Sequence, residues 1–203
     1  METKNVLVLG NGESRRCLDL TSVLLSHTTV GCNAIYRDHT VDHLICCDRR
    51  MATEAVRNIK DTTKIYTRSN WASSFSKFPN VSTVPELPYK GDTRADDPFQ
   101  WGSGQYAVLL ACLLSDNITL IGFDLWSNDN YVNNVYKDTE NYSKANSHSV
   151  DPNYWIYQTE KIFKLYPNKS FNIYNNIDWN MPSGWNLHNV VFHDIKSFKS
   201  DHE

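Results

Sequence analysis

Val6-Leu7-Val8-Leu9-Gly10-Asn11-Gly12-Glu13-Ser14 is a run of four aliphatic residues that stops at a glycine turn. Apolar residues in succession, rather than in alternation, read as a strand covered on both faces, the habit of parallel sheets. Ser14 then opens a helical pattern through Leu18 towards Leu25. The same rhythm repeats downstream. Thr29–Asn33, His43–Cys47 and Lys64–Thr67 read as strands, and Gln105–Leu114 as a nearly all-apolar helix. Ile118–Ile121, before Gly122-Phe123-Asp124, is a further buried strand; Asn153–Tyr166 is an amphipathic helix and Ser170–Tyr174 a last strand. Strands alternating with helices predict an α/β domain built on a doubly wound, mainly parallel sheet.

Two stretches break the rhythm. Residues 69–102 hold four of the seven prolines and read as a long irregular connection. Residues 125–150 are rich in Asn, Ser, Tyr and Asp, and a polar segment of that length without periodicity reads as a lid. One domain over residues 1–175 is therefore expected, with residues 176–203 as an irregular tail packed on it.

The balance of 20 basic to 23 acidic residues argues against a nucleic-acid partner, whose binding needs a basic excess. No apolar run is long enough to span a bilayer, and no signal peptide is expected, because Met1–Asn5 is polar and Val6–Leu9 is too short for its apolar region. The five cysteines (Cys17, Cys32, Cys46, Cys47, Cys112) are odd in number and sit in apolar contexts. Reduced, buried thiols and a cytoplasmic location are expected from them. Cys46 and Cys47 would face opposite sides of one strand. A homo-oligomer stays compatible with the sequence.

In open parallel sheets, ligands bind beyond the carboxyl ends of the strands. The polar residues there are Asn11, Gly12 and Ser14, then Asn33, then Asp48, and then Asp124 with Trp126. A glycine turn entering a helix lets backbone amides meet a phosphate, although most such turns are plain tight turns. The pattern here is neither G-x-G-x-x-G nor a P-loop, and Glu13 opposes an anion unless Arg15 or Arg16 compensates. Ser103-Gly104 opens the apolar helix, where amides and a hydroxyl suit a phosphate or carboxylate. No elbow motif makes Ser103 a hydrolase nucleophile. His148 lies at the lid's end, where an imidazole titrating near neutrality suits a general base. A solvated or capping histidine is the plainer reading of that position, and Trp155 and Trp185 read as packing. Metal ligands are not expected, because no Asp-x-Asp motif is present.

Taken together, the segments resemble the small bacterial lipooligosaccharide sialyltransferases of glycosyltransferase family 42. The matches run in order: Gly10-Asn11-Gly12-x-Ser14, Cys32-Asn33-x-x-Tyr36, Ser103-Gly104 with the strand ending Gly122-Phe123-Asp124, and His148-Ser149 before a helix containing Glu160-Lys161. The resemblance covers roughly residues 4–175 and implies a Rossmann-like nucleotide-sugar-binding domain with a flexible lid. It implies a CMP-activated sugar donor as substrate, a glycan or other hydroxyl acceptor as partner, no cofactor, and metal-independent transfer with inversion. By the same resemblance Asn11, Ser14 and Asn33 would contact the nucleotide or its phosphate, and Ser103 would reach the sugar carboxylate or phosphate region. His148 would take the acceptor's proton. Trp126 stands where the family has one lid tyrosine, Tyr131 is close to a second, and Tyr142 is a third candidate by proximity.

The chain departs from the family at Glu13, which replaces a proline, and at Gln100, which replaces an arginine; Asp48 replaces an asparagine. Two other readings therefore stay open. One is a non-catalytic nucleotide-binding or structural module of this fold. The other is a pyrophosphokinase-like enzyme, whose family begins with a similar turn and which would need ATP and a divalent ion.

Overall fold

A computed structural model describes residues 5–59, 62–127 and 129–202. In chain order the strands and helices are β1 (Val6–Leu9), α1 (Thr21–Ser26), β2 (Thr28–Cys32), β3 (His43–Ile45), α2 (Arg49–Asn58), β4 (Lys64–Thr67) and α3 (Ser69–Ala72). They continue with β5 (Val81–Thr83), α4 (Ser103–Leu114), β6 (Asn117–Ile121), α5 (Asn153–Leu165), β7 (Ser170–Asn175), β8 (Val190–Asp194) and α6 (Phe198–His202). All eight strands form one sheet in the order β5-β4-β3-β2-β1-β6-β7-β8, and every neighbouring pair is parallel.

The doubly wound reading holds, for the reason the sequence suggested. Val6 and Val8 pack into one core with α4 and α5, whereas Leu7 and Leu9 pack into the other with α2 and α6. Both faces of β1 are fully buried, so no position in it tolerates a polar side chain. Cys46 and Cys47 divide between the same two cores. Burial raises the thiols of Cys32 and Cys112 to about 12 and of Cys47 to about 11, keeping them neutral. Cys17 departs from the expectation of buried thiols and is exposed, because the chain around it leaves the sheet.

Three further expectations are corrected. The helix foreseen from Ser14 is a 3-10 turn, Glu13–Arg15, and α1 starts anew at Thr21. Asp19 accepts hydrogen bonds from the Thr21 N–H (3.0 Å) and hydroxyl (2.7 Å), which restarts the helix. The connection over 69–102 contributes β5 to the sheet edge. The tail after Asn175 is not irregular: β8 pairs with β7 from Val190 to Asp194, and Phe198 of α6 is buried against Tyr174.

The chain winds outward from β1 to β5 and then returns to lay β6 beside β1. Between the carboxyl ends of β1 and β6 the topology reverses, which opens a crevice. Among the described residues no helix is long and apolar enough to cross a membrane.

Candidate functional site

The crevice holds a cleft of about 240 Å³, lined among others by Asn11, Gly12, Asn33, Ser103, Gly104 and Asp124. Six of the residues expected at strand ends and at the α4 start thus converge. Their hydrogen bonds divide them into two groups.

The turn after β1 is closed by the protein itself. Gly10 N–H donates to Ile121 O and Gly12 N–H to Gly122 O, both at 2.9 Å. Glu13 N–H donates to Asn133 Oδ1 (2.8 Å), while Ser14 gives its N–H (2.8 Å) and its hydroxyl (2.5 Å) to the Asp124 carboxylate. A Cβ on Gly12 would lie 2.3 Å from that carboxyl group, so Gly12 is required by Asp124. Gly122 has φ +70°, a left-handed conformation that favours glycine. Asp124 is buried, and burial raises its pKa against the opposing Ser14 hydrogen bonds. Arg15 and Arg16 do not compensate for Glu13 at an anion site. Arg15 turns inward to Gly10 O (2.7 Å) and the Tyr136 hydroxyl (3.1 Å), and Arg16 pairs with Glu13 itself (2.7 Å). An internal carboxylate occupies the place that a phosphate would take at such a turn.

The start of α4 is arranged differently. Gly102 precedes it with no side-chain cap, and Gly102, Ser103, Gly104 and Gln105 all line the cleft. The leading N–H groups of a helix have no partner within it, and the macrodipole of this 12-residue helix adds positive potential there. Ser103 donates its hydroxyl to Asn33 Oδ1 (2.9 Å) and accepts the Cys47 N–H (3.0 Å). Asn33 takes φ +50° directly after β2, ending that strand one residue earlier than its sequence suggested. Asparagine tolerates this conformation better than most residues.

The polar lid lies over the cleft. Val135 N–H donates to Asn11 O (2.9 Å), and Asn133 and Asn134 join the lining. The Tyr142 hydroxyl accepts from Asn11 Nδ2 (3.2 Å) and from the Ala34 N–H (3.3 Å). A clasp fastens the lid to α2: Glu54 accepts from Tyr36, from Arg37 Nε (2.8 Å) and from Asn141 Nδ2 (2.7 Å). Arg37 continues to Thr139 Oγ1 (2.8 Å) and Glu140 O (3.0 Å).

The remaining expected residues lie outside the lining. Asp48 caps α2 by accepting the Arg50 N–H (2.7 Å). Trp126 stacks on Trp179 and borders an adjoining cavity of about 170 Å³ that it shares with Asp124 and Asn133. His148 is exposed, forms a bridge with Tyr131 on the lid and stacks on its ring with centroids 6.0 Å apart. The neighbouring Val132 N–H to Ser147 O bond joins the same two lid segments (3.1 Å). His148 therefore belongs to the lid that covers the Gly10–Gly12 turn.

Sequence reasoning missed Asn133, Trp155 and the closing role of Asp124. Trp155, expected as packing, lines the cleft, whereas Trp185 is fully buried in the core. Their signals were weak, since one asparagine in an asparagine-rich lid looks like any other. Among the described residues no group of three or more His, Cys, Asp or Glu side chains could hold a metal ion.

No protein-family model matches the sequence, and no curated protein matches it. Solved structures do. The sialyltransferase CstII from Campylobacter jejuni in complex with cytidine-5'-monophosphate shares 17% identity, with 85% of this chain and 80% of that chain covered, at a TM-score of 0.52. A point variant of CstII in complex with CMP gives 17% identity, 84% and 80% coverage, and a TM-score of 0.51. CstII in complex with a trisaccharide acceptor and CMP gives 16% identity, 84% and 80% coverage, and a TM-score of 0.50. The chain has a sialyltransferase-like fold.

Proposed function

We propose that this protein is a glycosyltransferase that moves a sugar from a CMP-activated donor to an acceptor hydroxyl, with inversion and without a metal. The observation that carries the reading is the uncapped start of α4 facing Asn33 and Asn11 across the crevice between β1 and β6. The CstII structures of the same fold, described as complexes with CMP, support the choice of nucleotide.

In this reading the donor phosphate sits on the leading amides of α4, which favour negative charge as it grows on the departing phosphate. The Ser103 hydroxyl, donated to Asn33 Oδ1, holds that side chain at the site. The Asn33 and Asn11 amides orient the nucleotide. The cleft is smaller than the roughly 300–1,000 Å³ of usual ligand sites, so the lid lifts to admit the donor and closes to keep water out. Lid movement also brings His148 to the reacting centre. There its imidazole takes the proton from the acceptor hydroxyl as that oxygen attacks the anomeric carbon and the nucleotide phosphate leaves from the opposite face.

Calorimetry with CMP, UMP and AMP tests the binding step, and a transfer assay tests the chemistry. CMP is expected to bind most tightly. His148→Ala is expected to abolish transfer and leave CMP affinity unchanged; transfer at the wild-type rate would remove His148 as base. A chelator is expected to leave activity intact, and chelator-sensitive turnover of ATP would favour the pyrophosphokinase-like reading. The exposed position of His148 favours one further reading, a binding module without turnover. CMP binding with no transfer to any acceptor would establish that alternative.

A further inference from the structure

The short helix α6 is held to the sheet by one apolar residue and a group of aromatic rings. Phe198 is buried with its ring edge-on to Tyr174 of β7 (5.1 Å between centroids), and His193 of β8 stacks on the same tyrosine (4.6 Å). At the other end of α6, His202 packs on Phe198 (4.6 Å) and meets the ring of His27 edge to face (5.2 Å). His27 is the residue that closes α1 before β2. Three histidines from three elements thus gather where α6 docks.

The polar atoms of two of these rings are left open. His27 Nδ1 lies 3.2 Å from Val23 O. A carbonyl only accepts, so Nδ1 carries the proton of the neutral ring and Nε2 is a bare lone pair. The Nε2 atoms of His27 and His202 are both buried, and among the described residues neither has a hydrogen-bond partner. Neutral imidazoles tolerate this place. A proton on His27 Nε2 would instead be a buried donor without an acceptor, and a proton on each ring would set two positive charges side by side.

The charged neighbours do not cancel that cost. Asp201 of α6 favours a charged His202, but it already accepts from the Tyr174 hydroxyl (3.0 Å) and Ser197 Oγ (2.8 Å). His27 and His193 oppose a charge on His202. Lys199, also on α6, acts on Asp19 in the turn before α1, and burial keeps the Tyr174 hydroxyl protonated. Burial is the leading cause that holds both His27 and His202 below the ordinary imidazole value.

We propose that α6 is an acid-released latch, which lies on β7 and α1 while His27 and His202 are neutral and lifts away when both rings take a proton. The undocked tail binds protons at the ordinary imidazole value and the docked one only below it. Docking is therefore full above that value and is lost as pH falls through it. Release uncovers Phe198 and the ring of Tyr174 and leaves the sheet paired.

Trypsin cleavage after Lys196 and Lys199, followed by mass spectrometry, tests this on the full chain. Dividing each rate by that of a free peptide of residues 195–203 at the same pH gives the open fraction. In wild type that fraction is expected to rise about tenfold or more between about pH 8 and about pH 5.5. A variant with both His27→Phe and His202→Phe keeps the ring packing and takes no proton, so its open fraction is expected to stay flat. An NMR titration of the wild-type imidazoles gives an answer even if that variant fails to fold: His27 and His202 are both expected to titrate below about 6.5. The proposal is overturned if the wild-type open fraction does not change, if the double variant opens as wild type does, or if either ring titrates at or above the ordinary value. It is overturned as well if the Val6–Leu9 amides lose their exchange protection at the same pH, since the whole fold rather than a latch would then be opening.

Discussion

The turn after β1 and the start of α4 are both glycine–serine segments on the carboxyl edge of one sheet, and they face each other across one cleft. In the first, the amides of Gly10, Gly12, Glu13 and Ser14 all donate to groups of the protein, with Asp124 filling the centre. In the second, a long helix begins without a side-chain cap. A glycine pattern in sequence therefore marks a close approach without saying what approaches. At the first turn it is a buried carboxylate, and the place left for an external anion is the second.

The largest effect that would break this contrast comes from Ser103→Asp. A carboxylate at the first position of α4 takes up the anion site, and like-charge juxtaposition costs several kcal/mol, so CMP affinity is expected to fall at least ~100-fold. Calorimetry checks it; retained affinity would move the phosphate elsewhere. Next comes Asp124→Ala, which strands the Ser14 N–H and hydroxyl. About 3 kcal/mol of stability is expected to be lost, and denaturant unfolding measures it.

Asp124→Asn sharpens the same point through pH. Burial raises the folded-state pKa of Asp124 above its unfolded value, so its contribution is full below the unfolded pKa and is lost as pH rises through the folded one. The stability of wild type relative to Asp124→Asn is therefore expected to improve as pH falls from neutrality into the carboxylate range. No pH dependence in that difference would mean the carboxylate is well solvated. The smallest effect concerns the clasp. Glu54→Gln removes the charge that holds Arg37 and Asn141 and is expected to cost the lid about 1 kcal/mol. Faster hydrogen exchange in the lid, with the sheet unaffected, would be the sign.

Much of the sheet was legible because its inner strands leave the sequence no freedom: Val6–Leu9 and Ile118–Ile121 are buried on both faces and read as apolar runs. β8 was not, since Val191 is 46% exposed on the sheet edge and the strand carries His193 and Asp194. Asn33 and Ser103 were legible as polar residues just past a strand and at a helix start, positions that topology alone brings together. The bond between Ser14 and Asp124, 110 residues apart, left no mark in spacing. Nor did the Glu54 clasp, whose partners come from two segments, one separated from α2 by a strand and the other far from it in sequence. Long-range polar partners are chosen by the fold, and only after it has formed do they decide which turn is open.

Amide chemical shifts during a CMP titration test that choice most directly. The account expects the Ser103, Gly104 and Gln105 N–H resonances to move with saturating nucleotide, while those of Gly12, Glu13 and Ser14 stay nearly fixed. Movement confined to residues 10–15, with the start of α4 silent, would contradict it.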